Sequence, residues 1–212
     1  MKTLDKLPPC ATAHSHLKKS TKEFSKLLSK NISSKGIIKL TSKSEMGLCA
    51  FLARTVVGQQ LSTKAARTIW SRVEQKAEGK NVSIKSILVP RYDRSLKACG
   101  ISKNKRKALY SISEAISTAA INDSMLLNQP HNSRSIQLTE IWGIGQWTAD
   151  MTSMFYFGDP DIWPSTDGAV VRGLTLFSNG SKRIEKDIVN VSAPYRSYLA
   201  LHMWDTVDSG LI

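Results

Sequence analysis

Residues 138–173 read LTEIWGIGQWTADMTSMFYFGDPDIWPSTDGAVVRG, and this stretch decides how the rest of the chain is understood. Leu138 and Ile141 close one helical pattern, Gly143-Ile144-Gly145 makes a tight turn, and Trp147-Thr148-Ala149 opens a second helix. Two glycines around one apolar residue let the backbone approach a neighbour with no Cβ in the way. The first turn of the following helix presents N–H groups without acceptors inside the helix, and such a terminus attracts anions. Carbonyls on the other side of the turn can hold a monovalent cation. The same residues also suit an ordinary αα-hairpin with a glycine turn. Further on, Pro164-Ser165-Thr166-Asp167 leads into another apolar run, which places Asp167 where a helix N-cap would stand.

Outward from this segment, apolar spacing is helical almost throughout. Met46, Cys49, Ala50, Ala53 and Val57 mark one helix; Ala65, Ala66, Ile69, Trp70 and Val73 mark the next, with Ser62 as its N-cap. Leu17, Phe24, Leu27, Leu28 and Ile32 predict a docked helix over 17–32. Further helices are expected over 83–89, 93–99, 105–121, 135–141, 148–157, 168–177 and 194–207. Only Gly36–Leu40, GIIKL, reads as a short strand. The expected class is all-α, with about ten helices joined by short loops.

The length of 212 residues suits one good-sized domain or two small subdomains. With 41% hydrophobic residues the chain is not expected to be disordered, and no apolar run approaches the ~18 residues a membrane span requires. No charged-then-apolar leader is expected. Cys10, Cys49 and Cys99 lie far apart, which suits a reducing compartment and offers no Cys-x-x-Cys metal site. His14 and His16 form an H-x-H pair with no acidic or thiol partner nearby, so no metal site is expected; His202 reads as a hydrogen-bonded core histidine.

Thirty Lys and Arg against 17 Asp and Glu give a net charge of +13, which points to a polyanion and, first, to nucleic acid. The excess is concentrated. Residues 1–43 hold ten lysines and two acids, residues 91–107 hold seven basic groups and Asp93, and the remainder is nearly neutral. Residues 1–13 are expected to form a flexible basic arm, leaving 14–212 as the folded domain. Lys103, Lys105, Arg106 and Lys107, just past the Gly100 turn, are candidate non-specific phosphate contacts.

Four segments, in order, resemble a known family: 57–66 (VGQQLSTKAA), the hairpin 138–149, the Pro164-Ser165-Thr166-Asp167 loop, and 195–204 (YRSYLALHMW). Together they are similar to the helix-hairpin-helix DNA glycosylases, in the alkylpurine (3-methyladenine) branch, in a compact form without an added β domain. The resemblance implies two helical subdomains with a base-binding cleft between them, into which a damaged nucleotide is flipped. It implies that Gln60 fills the vacated stack, with Leu61 beside it and Ser62 facing the minor groove. Gly143, Ile144, Gly145 and Thr148 would bind a phosphate. Trp147, Met151, Trp163 and Trp204 would line the base pocket, where aromatic faces favour a cationic alkylpurine. Asp167, in the loop 159–168, would be the catalytic carboxylate, stabilising the cationic sugar or activating water.

Where bifunctional members place a Schiff-base lysine, this chain has Trp147, so lyase chemistry is not expected. The implied activity is hydrolysis of the N-glycosidic bond of an alkylated purine, leaving an abasic site. It requires no cofactor, a cation at the hairpin carbonyls being the one candidate. The implied partner is double-stranded DNA with alkylated or abasic nucleotides, met by a monomer, with no membrane. The location would be nuclear in a eukaryote and cytoplasmic otherwise. A second reading keeps the fold but makes the chain a damage-binding protein with little or no excision.

Overall fold

Short side-chain oxygens start several of the helices. Ser25, Ser62, Ser102, Asn122, Asp167 and Ser181 each accept a backbone N–H that the first turn leaves without a partner. In the computed structural model, residues 10–210 are described, and among them lie thirteen α-helices and no strand. They are α1 (Cys10–Ser20), α2 (Lys26–Lys35), α3 (Leu48–Gly58), α4 (Thr63–Glu78), α5 (Ile84–Ile87), α6 (Asp93–Ala98), α7 (Lys103–Ser117), α8 (Asp123–Leu127), α9 (His131–Thr139), α10 (Gln146–Phe155), α11 (Gly168–Phe177), α12 (Lys182–Val191) and α13 (Arg196–Asp208).

The all-α expectation holds, and three local readings change. The single helix expected over 17–32 is two, because Ser25 takes an extended backbone and caps α2 through Leu28 N–H. Gly36–Leu40 is irregular rather than a strand: Leu40 is buried and Ile37 faces solvent, but no second strand pairs with it among the described residues. The expected flexible arm extends too far, since α1 begins at Cys10 and buries Ala13 completely; the rest of the arm lies outside the described residues.

The chain divides into two compact units, one comprising Lys43–Thr152 and one formed by the stretches on either side of it. In the first, α3 is the apolar centre, with Leu52, Ala53, Val56 and Val57 excluded from water; α4 and α7 pack on it, and Val73, Leu109 and Ile112 on them are fully buried. In the second, α11 lies along α13. Their closeness depends on Gly173, where a Cβ would stand 3.0 Å from Met203 Cβ and 3.1 Å from Met203 O. Among the described residues no helix is long and apolar enough to cross a membrane, and no group of three or more potential metal ligands gathers.

His202, on α13, is a core residue as expected, but its Nδ1 has no hydrogen-bond partner. The ring of His14 lies 6.3 Å away and its Nδ1 is likewise buried and unpartnered. Burial first, and then the nearby His14, push the His202 pKa from 6.5 down to about 4, against a smaller opposite pull from Asp205. The unfolded chain therefore takes up a proton before the folded one does. Stability is full above pH 6.5 and falls as the pH drops towards about 4. The expected loss is about 3 kcal/mol. Urea denaturation across this range should show the fall, and His202→Leu should flatten it; an equal slope in the variant would mean that other groups are responsible.

Candidate functional site

The turn between α9 and α10 is built from the inside out. Ile141 and Ile144 are buried, and Ile144 N–H closes on Ile141 O at 3.0 Å. Gly143 takes a φ of +88°, and a Cβ there would fall 2.4 Å from Ala108 Cβ on α7. Its lack of a side chain serves a contact within the protein. Gly145 differs: a Cβ would meet nothing within 4 Å, so the space beside it is open. The first helical bond of α10 runs from Ala149 N–H to Gly145 O, at 3.1 Å, which leaves the preceding amides facing the helix entrance. Below the turn, Ser135 donates to Gln146 Oε1 at 3.0 Å, Gln146 Nε2 donates to the buried Asp150 at 2.7 Å, and His131 lies 3.3 Å from the same carboxylate. This polar group ties α9 to α10 and holds the turn in register.

The loop between α3 and α4 is tied to that turn. Gln59 Nε2 donates to Thr148 Oγ1 at 3.0 Å and reaches Gly143 O at 3.4 Å. Lys105 donates to Val57 O at 2.8 Å and Gln59 O at 2.7 Å, capping the end of α3. Burial lowers its ammonium below the ordinary lysine range. Beyond these anchors Gln60 has a φ of +56° and is exposed, Leu61 is exposed, and Ser62 accepts Ala65 N–H at 3.2 Å to start α4.

In the other unit, Asp167 caps α11. Its Oδ1 accepts from Ala169 N–H at 2.9 Å, Val170 N–H at 2.9 Å and the Trp204 indole N–H at 3.1 Å. The Trp204 ring packs on Phe155, with centroids 5.9 Å apart. The loop carrying Asp167 is fastened at its start. Arg196 makes a two-pronged bond to Asp161, with both contacts 2.7 Å, and Ser197 accepts from Ile162 N–H while donating to Asp159 O.

The family model described as "HhH-GPD superfamily base excision DNA repair protein" matches residues 53–192, a span that includes the loop, the turn and the carboxylate. The chain belongs to this superfamily. The DNA-3-methyladenine glycosylase 1 of Schizosaccharomyces pombe is 29% identical over 160 residues, 73% of this chain and 70% of that protein. The crystal structure of a DNA-3-methyladenine glycosidase from Bacillus halodurans has a TM-score of 0.75 at 27% identity, covering 99% of this chain and 93% of the other. The S. pombe 3-methyladenine DNA glycosylase in complex with abasic DNA has a TM-score of 0.78 at 24% identity, covering 93% and 97%, and shares the fold.

Within this HhH-GPD framework several expected roles change. Lys105 and Arg106 were expected on phosphates, but Lys105 points inward to Val57 and Gln59, while Arg106 pairs with Asp93 at 2.7 Å and donates to Ile101 O. Lys103 remains exposed, and Lys107 lies over the Trp142 ring, 4.2 Å from its centroid. Thr148 is 1% exposed and holds Gln59 instead of a phosphate. Met151 is 6% exposed and packs in the core. Trp147 is half-buried at the start of α10. Trp163 lines a groove of about 410 Å³ with Leu174, Lys186 and Val189, whereas Trp204 touches Asp167 directly. Gln59, Asp161, Arg196 and Ser197 were given no role; Gln59, Arg196 and Ser197 stand inside family-like segments and Asp161 in the loop 159–168, the one available signal for them.

Two substitutions separate the glycines. Gly143→Ala should cost more than about 2 kcal/mol of stability, because it combines a positive φ with a clash. Gly145→Ala should leave the denaturation midpoint unchanged and weaken duplex binding; the reverse pattern would contradict the assignment. For the cations, Lys103→Gln should weaken binding of intact and abasic duplexes alike. Lys105→Gln should cost about 2 kcal/mol of stability and weaken abasic-duplex binding more than intact-duplex binding. Equal losses on both duplexes in the Lys105 variant would return it to the phosphate role.

Proposed function

We propose that the chain excises alkylated purines, of the 3-methyladenine or 7-methylguanine kind, from duplex DNA by hydrolysing the N-glycosidic bond. The observation that carries this reading is the placement of Asp167, one of whose oxygens is held by three converging N–H donors. A carboxylate fixed in this way needs little reorganisation to oppose positive charge on the sugar, or to orient the attacking water, as the bond breaks. An alkylated purine is already cationic, so it departs without a strong general acid. The Gly143–Gly145 turn and the amides opening α10 take the phosphate, Gln60 and Leu61 enter the stack, and Trp204, which touches Asp167, faces the extruded base. Membership of a base excision repair superfamily and likeness to 3-methyladenine glycosylases support this reading.

The hydrolysis uses no cofactor. The turn carbonyls of Ile141 and Gly143 each accept one hydrogen bond and keep a second lone pair, so they would hold a monovalent cation, which supplies positive charge near the bound phosphate. Trp147 in place of a lysine leaves no amine in the hairpin for Schiff-base formation, so strand cleavage does not follow base release. The chain acts as a monomer, in the nucleus of a eukaryotic cell or the cytoplasm of a bacterial one.

One observation favours the second reading, damage binding without turnover. The Ser62 hydroxyl is used to cap α4, so it braces the minor groove weakly. Base release separates the two. With alkylated duplex, the chain should liberate methylated purine, and Asp167→Asn should slow release by about 10²–10⁴-fold while still binding abasic DNA. Asparagine caps helices as well as aspartate does, so the variant should fold normally. Binding without any release by the unaltered chain would establish the second reading.

A further inference from the structure

A groove of about 630 Å³ opens on the Lys43–Thr152 unit, lined by α7, α8, α9 and the residues just before the hairpin turn. None of the groups already placed on DNA lines it. Glu114 and Ala115 face it from α7, Met125 from α8, Gln137 from α9 and Glu140 from just past the end of α9, and Trp142 closes it beside the turn. Met125 is 40% and Trp142 43% exposed, and Ile136, one turn before Glu140, is 64% exposed, so the apolar surface extends beyond the groove. The Gln137 Oε1 is buried without a hydrogen-bond partner.

The charge here is opposite to that of the chain as a whole. From 108 to 150 the acids are Glu114, Asp123, Glu140 and Asp150, and the one Lys or Arg is Arg134, which is buried. One surface cation, Lys107, lies over the Trp142 ring at the edge of the groove. In a chain of net charge +13, an apolar groove edged by carboxylates repels a phosphate backbone and attracts a basic partner. The Glu114 and Glu140 carboxylates and the unpartnered Gln137 Oε1 are acceptors, which a partner bringing donors would satisfy. A groove between helices, with anchors of this kind, fits the apolar stripe of a helix.

We propose that this groove docks a basic amphipathic helix of a partner protein, with its apolar stripe on Met125 and Trp142 and its Lys or Arg side chains on Glu114 and Glu140. Because Trp142 directly precedes Gly143, the partner would be held next to the DNA-gripping turn while leaving that turn to the phosphate.

The test uses the full chain and a synthetic helical peptide of about sixteen residues, with leucines at i, i+4 and flanking lysines, against a scrambled peptide of the same composition. Binding is followed by calorimetry, and folding of each variant is checked by circular dichroism. The patterned peptide should bind saturably and more tightly than the scrambled one. The pair Glu114→Gln with Glu140→Gln, and separately Met125→Ser, should each weaken binding by about tenfold or more. Neither should alter release of methylated purine. Equal binding of the two peptides, or binding that survives both variants, would overturn the proposal. So would concentration-dependent dimerisation of the chain that the same substitutions abolish, since the occupant would then be a second copy.

Discussion

The convergence of three N–H donors on one Asp167 oxygen is the constraint around which the carboxylate's surroundings are arranged. Two donors are amides of the first turn of α11, those of Ala169 and Val170, so capping the helix and orienting the acid are the same act. The third is the Trp204 indole, and it is available only because α13 runs close to α11. That closeness rests on Gly173, whose missing Cβ makes room for Met203, the residue before Trp204. The Arg196–Asp161 pair and the Ser197 bonds then fix the entry to the loop from the other end of α13. One helix thus holds both the start of the loop and the acid at its finish.

A parallel economy governs the other unit. Lys105 and Gln59 bind the exposed Gln60–Leu61 tip to α3 and to the hairpin, so the residues proposed to enter DNA stand on fixed supports. The net charge of +13 therefore overstates the surface available to phosphates. Part of the densest basic run faces inward, where a cation satisfies carbonyls at the end of a helix. In the proposed function, general attraction to DNA therefore falls to exposed groups such as Lys103, and the chemistry to the nearly neutral parts of the chain.

Features that the backbone itself demands were readable from sequence. Asp167 before an apolar run predicts a cap and a helix over 168–177, which α11 matches, and Ser62 marks the start of α4 in the same way. Gly143 declared a tight turn, although its neighbour in space, Ala108, is 35 positions away and invisible to local pattern. Elements that depend on tertiary contacts were less legible. α12 carries five charged residues in ten, which hide the Ile184 and Ile188 stripe; Gly36–Leu40 has strand-like residues but nothing to pair with. The direction of a side chain is likewise a property of the assembled fold. A lysine beside a glycine turn reads as a phosphate contact, and only packing shows that Lys105 turns inward. Thr148, whose hydroxyl is taken up by Gln59, shows the same, since residue type does not say which helix face is buried.

The central claim is that the hydrogen bonding around Asp167 positions a catalytic carboxylate. Single-turnover release of methylated purine by Trp204→Phe addresses it directly, because phenylalanine keeps an aromatic face and removes one donor. The rate should fall by about tenfold or more, with abasic-duplex affinity and the denaturation midpoint nearly unchanged. An unaltered rate would contradict the claim, leaving the three-donor arrangement as a helix cap and nothing more.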